Sequence, residues 1–160
     1  MVDWKPNVTV AAVVERDGRF LMVEEHTRDG LRLNQPAGHL DPAESLEQAV
    51  VRETLEETAQ RVQALACVGV YLSRYRHAAQ GIDVTYLRFA FACRWLGHEP
   101  GRALDDGIVR AVWLTADEIR ARAAEHRSPQ VQRCIDDHLA GRRYPLDLIH
   151  THPDCLLPRD

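Results

Sequence analysis

The chain reads as a mixed domain of strands and helices, an α/β (α+β) fold, on three observations. Two β-prone runs near its start are joined by Asp17-Gly18, a strong hairpin turn. A short acidic helix opens after Ser45, and two long β-prone runs, 62–75 and 82–95, follow it. With 160 residues and 45% hydrophobic content the chain can bury a real core, and no second domain fits in that length.

Taken in order, Asn7 to Glu15 predicts a strand and Arg19 to Glu25 its hairpin partner. His26 to Gly30 is polar and loop-like, and Leu31-Arg32-Leu33 alternates briefly before Asn34-Gln35-Pro36-Ala37-Gly38. Ser45 followed by Gln48 is a capping-box signature, in which each side chain satisfies a backbone N–H that the first helical turn leaves unpaired. Asp41 with Glu44 has the same spacing and is a second candidate start. On either choice Leu46, Ala49 and Val50 recur at helical spacing and define a buried stripe. Val62 to Tyr75 and Ile82 to Trp95 then predict two long antiparallel strands around a turn at His77 to Gly81. A loop from Gly97 to Gly107 leads into a short strand, Ile108 to Leu114. Thr115 with Glu118 is another capping box, opening a helix from Ala116 to about Ala124. Ser128 as N-cap, with Pro129 in the first turn, starts a last helix that Gly141 ends. From about residue 150, His150, His152, Asp154 and Cys155 lie between prolines, which reads as a frayed terminus rather than a metal site.

Composition excludes several classes. A net charge of −4 offers no broad basic surface for nucleic acid or an anionic membrane, so an anionic substrate must be met by local basic groups and metal. The longest apolar runs, such as Val8 to Val14, are strand-length, and no charged segment precedes an apolar one at the start. The expectation is neither signal peptide nor membrane span, with the cytoplasm as default. Cys67, Cys93, Cys134 and Cys155 form no Cys-x-x-Cys pair, which argues for free thiols rather than zinc or disulfides.

The chemistry concentrates on the acidic helix. Glu53, Glu56 and Glu57 fall at i, i+3 and i+4, neighbouring positions on one helical face, where like charges repel and weaken the helix. One reading is a solvated acidic face helped by Arg52. The other is a divalent cation, which reverses the sign of the interaction; hard carboxylate oxygens suit Mg²⁺ or Mn²⁺, and Mg²⁺ prefers a few carboxylates, waters and substrate phosphates.

The surrounding string separates these readings. Gly38, then Glu44 after five residues, Arg52-Glu53 after seven more and Glu56-Glu57 after two resembles the Nudix box, the signature of the Nudix hydrolases. The resemblance implies an α/β/α sandwich with a mixed central sheet and a loop-helix-loop that binds Mg²⁺ through Glu53, Glu56 and Glu57, often with the Gly38 carbonyl. It implies that Glu44 and Arg52 orient the loop and the catalytic glutamates, and that Glu57 or Glu53 serves as general base. The string departs from the family pattern at Ala59, where glycine is usual, and at Thr54 and Gln60, where apolar residues are usual. A left-handed helix end would cost alanine roughly 1 kcal/mol.

Asn-Gln-Pro-Ala-Gly-His-Leu at 34–40, Arg127-Ser128-Pro129 and Gly141 to Leu146 are similar to the NudJ branch of the family, so the likeness spans nearly the whole chain up to Ile149. It implies a monomer that hydrolyses nucleoside tri- and diphosphates with release of orthophosphate, and thiamine-type pyrophosphorylated metabolites such as hydroxymethylpyrimidine diphosphate and thiamine diphosphate. Other Nudix specificities, for dinucleoside polyphosphates, ADP-ribose or oxidised nucleotides, and a non-catalytic nucleotide-binding module are the alternatives. Such modules usually carry a broken acid cluster, whereas all three glutamates are present here.

Candidate substrate contacts follow from residue chemistry. Asn34 and Gln35 either hydrogen-bond a substrate or hold the loop. Arg74, Arg76 and Arg88 lie on the long strands, and the arginine fork suits phosphate. Tyr71, Tyr75 and Tyr86 either stack on a heterocycle or fill the core. Ser128 is a substrate contact or a helix cap. Many Nudix enzymes take a further acid from the loop before the last strand, and Asp105 and Asp106 are the candidates.

Overall fold

The computed structural model describes residues 4–158, so the first three and last two positions of the domain read from the sequence lie outside it. Seven strands form one sheet: β1 (Asn7–Arg16), β2 (Arg19–Thr27), β3 (Gly30–Asn34), β4 (Ala37–His39), β5 (Gln60–His77), β6 (Ile82–His98) and β7 (Ile108–Leu114). β1 is central. One of its edges carries β6 in parallel, from Asn7 opposite Tyr86 to Val14 opposite Cys93. Its other edge is shared between β4, at Thr9 to Ala11, and β2, at Glu15 and Arg16. The remaining ladders are antiparallel.

Alternation along β1 builds the two layers of core that a sheet buried on both faces requires. Val10, Ala12 and Val14 join Ala49 and Val50 of helix α1 (Leu46–Thr58) on one face. Ala11 and Val13 join Ile119 of α2 (Ala116–Ala121) and Val131, Cys134 and Ile135 of α3 (Gln130–Leu139) on the other. This is the α/β/α sandwich expected.

Three local expectations change. The stretch 26–30 is a tight hairpin rather than a loop, because Thr27 pairs with Gly30 and its hydroxyl also accepts the Asp29 N–H. β5 runs beyond Tyr75 to His77 and β6 beyond Trp95 to His98, since ladder bonds need only backbone, and Arg74 finds Asp83 across the arm. Ser128 is not the N-cap of α3. Pro129 holds that place with helical backbone, and the Ser128 hydroxyl accepts the Gln130 N–H at 3.3 Å. Gly141, at φ 78°, does close α3: its N–H reaches the His138 carbonyl and that of Arg142 the Asp137 carbonyl, a Schellman turn. Beyond it, Pro153–Leu156 is a 3₁₀ turn whose first N–H groups include one bonded to His152 Nδ1. All four cysteines are free. No helix among the described residues is long and apolar enough to cross a membrane.

Candidate active site

Helix α1 sets the site because both of its ends are defined. At the start the Ser45 hydroxyl accepts the Gln48 N–H while the Gln48 side chain accepts the Ser45 N–H. The Asp41–Glu44 pair makes only half of such a box, the Glu44 side chain accepting the Asp41 N–H, and it precedes the helix. At the end Ala59 adopts φ 56°, and its N–H reaches the Leu55 carbonyl. The two other departures from the family pattern are satisfied locally: buried Thr54 donates to the Val50 carbonyl at 2.7 Å, and Gln60 accepts the Trp95 indole N–H at 2.7 Å.

With the helix anchored, Glu53, Glu56 and Asp105 each bring a carboxylate oxygen to within 4.8 Å of the others. Asp105 comes from the loop before β7 and is tied to the helix by its own N–H, which donates to the Glu56 carbonyl at 3.1 Å. Asp106 is exposed and outside this set. Arg52 lies against the acids. Its Nη1 donates to Glu53 and Glu56 at 2.9 Å each, and its Nε and Nη2 make a fork on Glu44 at 2.9 and 2.7 Å. Nη2 also reaches the His39 carbonyl at 3.0 Å, so one guanidinium couples the β4 end, the pre-helix turn and the helix. Gly38 leaves no room for a side chain, since a Cβ there would sit 2.0 Å from Glu53 Cδ.

Glu57 is not in the three-carboxylate set. It is buried, and its Oε2 accepts the Ala37 N–H at 2.9 Å. Burial, opposed by that bond and reinforced by Glu25, Glu53 and Asp105, pushes its carboxyl up to about 8. Burial also raises Glu53, against the pull of Arg52. Burial would raise Glu44 too, but Arg52 and the Asp41 N–H outweigh it and hold that carboxyl below its usual range.

The remaining candidates scatter. Arg88 is buried, donating to Gln35 Oε1 and Asn34 Oδ1 at 3.1 Å each. Arg74 is exposed and forked onto Asp83. The Tyr75 hydroxyl donates to Asp29 at 3.0 Å, and Tyr71 lies in the core beneath α3 with its hydroxyl on Asp137. Glu25 was not singled out by sequence. Its carboxylate accepts from Asn34 Nδ2 at 3.5 Å and lies 3.8 Å from Arg127, and a lone acid at a strand end carries no motif by which to find it. A groove of about 780 Å³ lies elsewhere, between β5, α3 and residues 142–148, and none of its walls belongs to the acid cluster.

In this site a glycine packs on a helical glutamate, and that glutamate, its i+3 neighbour and a loop aspartate converge beside one arginine. The NUDIX domain family model matches residues 4–134, a span that contains all of these residues. The chain belongs to the Nudix family. Among curated relatives, the phosphatase NudJ of Escherichia coli K12 is 39% identical over 147 residues, covering 91% of this chain and 92% of the relative. NudJ of Shigella boydii matches to the same extent. Among solved structures, a NUDIX hydrolase from Nitrosomonas europaea is 50% identical with a TM-score of 0.85, covering 92% of this chain and 98% of that one. A MutT NUDIX hydrolase from Burkholderia pseudomallei, 20% identical with a TM-score of 0.66 over 84% and 98%, shares the fold. The Nudix chain described here is therefore a NudJ-like hydrolase of phosphoanhydride bonds, and its carboxylate cluster is of the kind with which the family holds divalent metal.

Proposed function

We propose that this Nudix hydrolase removes orthophosphate from nucleoside tri- and diphosphates, with Mg²⁺ as its metal and Mn²⁺ as a substitute, acting as a monomer in the cytoplasm. Thiamine-type pyrophosphates, hydroxymethylpyrimidine diphosphate and thiamine diphosphate, are a second substrate class. The observation that carries the reading is the convergence of Glu53, Glu56 and Asp105 in a chain 39% identical to NudJ over nine-tenths of its length.

The donor set fits the metal. Three carboxylate oxygens within 4.8 Å of one another are hard ligands of the type Mg²⁺ takes together with water and substrate phosphate. Glu53, Glu56 and Asp105 would hold the ion, with the Gly38 carbonyl and Glu57 as the further ligands that the family resemblance implies. When bound, the metal neutralises charge developing on the phosphate oxygens and acidifies a water. Arg52 keeps Glu53 and Glu56 aimed at one point, so the acids do not have to reorganise as charge develops. Glu57, held beside the cluster by the Ala37 N–H, is the first choice for the general base that the resemblance implies, and Glu53 is the second.

A colorimetric phosphate assay on ATP, GTP, ADP and thiamine diphosphate, without added pyrophosphatase, tests the reading. Orthophosphate should appear with Mg²⁺ and vanish with a chelator. Pyrophosphate as the sole inorganic product from a triphosphate would reject the NudJ-type cleavage in favour of another Nudix specificity.

A further inference from the structure

We propose that Arg88 is a positioning residue for the acid cluster: it ties the Asn34 and Gln35 amide oxygens to β6 and so holds the 34–38 segment against Glu57 and Glu53. The proposal rests on the Nudix hydrolase reading of that cluster.

Arg88 sits on β6 opposite Thr9 of β1 and is 8% exposed; Asn34 and Gln35 are 7% and 0% exposed. Both forked nitrogens of Arg88 are already engaged by the two amides, which leaves no free fork for a phosphate. A guanidinium can only donate, whereas an amide presents a carbonyl oxygen on one arm and an NH₂ on the other. With Arg88 bonded to Gln35 Oε1 and Asn34 Oδ1, both NH₂ groups must turn the other way. Gln35 Nε2 then donates to the Val131 carbonyl of α3 at 2.7 Å, and Asn34 Nδ2 faces Glu25 Oε1 at 3.5 Å. The buried cation on one side, and the Val131 carbonyl and Glu25 carboxylate on the other, thus demand the same polarity of both amides.

The segment held in this way continues straight into the site. The Pro36 carbonyl accepts the Ala12 N–H at 2.9 Å, and β4 then pairs with β1. That places the Ala37 N–H on Glu57 at 2.9 Å and the bare Cα of Gly38 under Glu53. A methionine would fill the volume of Arg88 without desolvating a charge, but it would leave both buried amide oxygens without their donor.

The test compares Arg88→Met and Arg88→Lys with the parent for kcat, KM and Mn²⁺ affinity, the last from free Mn²⁺ by electron paramagnetic resonance without substrate. In folded Arg88→Met, kcat should fall and the Mn²⁺ dissociation constant should rise, each by about 10- to 100-fold, the usual effect of removing a group that orients metal ligands. KM should stay within about threefold, because the substrate contact itself is intact, and Arg88→Lys, which keeps a donor but not the fork, should recover part of both losses. If neither variant folds, Gln35→Met and Asn34→Leu carry the test by deleting one acceptor each with Arg88 in place, and should show the same split. A KM raised by more than about tenfold with kcat and Mn²⁺ affinity unmoved would make Arg88 a substrate contact and overturn the proposal. Folded variants unchanged in all three quantities would overturn it too. Because the Mn²⁺ arm needs no turnover, a parent protein inactive on every nucleotide would reject the hydrolase reading without deciding the role of Arg88, which that arm decides by itself.

Discussion

A methyl group added to Gly38 would stand 2.0 Å from Cδ of Glu53 and 2.2 Å from both of its oxygens. The glutamate carboxylate lies directly on the glycine backbone, so the residue that lets the β4 segment approach the helix also sets where the Glu53 carboxylate can be.

Gly38→Ala is therefore expected to displace Glu53 rather than to unfold the chain, since β4 pairing through Thr9, Val10 and Ala11 is a backbone matter. Turnover should fall by about 100-fold or more, as a ligand moves by an ångström or two. Mn²⁺ affinity measured on the same sample should weaken in parallel. Native-like turnover in the alanine variant would refute the packing described.

Asp105 and Asp106 are adjacent in the chain but differ in the fold, because only Asp105 has its oxygen within reach of Glu53 and Glu56. Asp105→Asn should lower Mn²⁺ affinity and kcat by about 10- to 100-fold, while Asp106→Asn stays within about threefold of the parent. Calorimetric metal titration of the two variants side by side checks this, and equal losses would remove the distinction.

Glu24 supplies the pH prediction. It is 4% exposed, and Arg110 Nε at 2.6 Å, then Arg122 Nη1 at 2.8 Å, hold its carboxyl below the ordinary value of 4.5 despite burial. Unfolded Glu24 binds a proton more readily than folded Glu24 does. Its stabilisation is thus fully present above 4.5 and is lost as pH falls through the lowered folded value. Glu24→Gln should cost about 1 to 3 kcal/mol near pH 7 and flatten the acid limb of a melting-temperature profile. An unchanged acid limb would show that the pair contributes nothing.

Ala59 occupies the left-handed region at φ 56°, ψ 19° while 3% exposed. Glycine would relieve about 1 to 2 kcal/mol of backbone strain and forgo about 0.8 kcal/mol of methyl burial, besides gaining freedom in the unfolded chain. Strain relief is the larger of the folded-state terms. Ala59→Gly should leave stability within about 1 kcal/mol of the parent, on the stabilising side, with activity intact. A drop in denaturant midpoint would mean that the methyl packing outweighs the strain.

Much of this protein was legible in local spacing. Capping boxes at Ser45 and Thr115, the Asp17-Gly18 turn, and the strand character of 7–15, 62–75 and 82–95 depend on contacts a few residues apart or on one face of one element. The same holds for the common face of Glu53 and Glu56, because the helix itself imposes it. Ser128 misled because a serine followed by a first-turn proline is a compatible capping pair in sequence, whereas the helix begins one residue later and Pro129 holds the N-cap place.

What the sequence alone determined is a capped helix carrying its acids in order, the strands around it and, by resemblance, the family. Only the tertiary structure decided which loop aspartate joins Glu53 and Glu56, that Glu57 turns to the Ala37 N–H, that Glu25 stands near it, and that Arg88 meets two amides rather than open surface. Each of these pairs lies 9 to 54 positions apart or joins a helix to a separate loop. Such contacts are set by ladder register and by how α1 crosses the sheet, quantities that no local pattern of residues encodes.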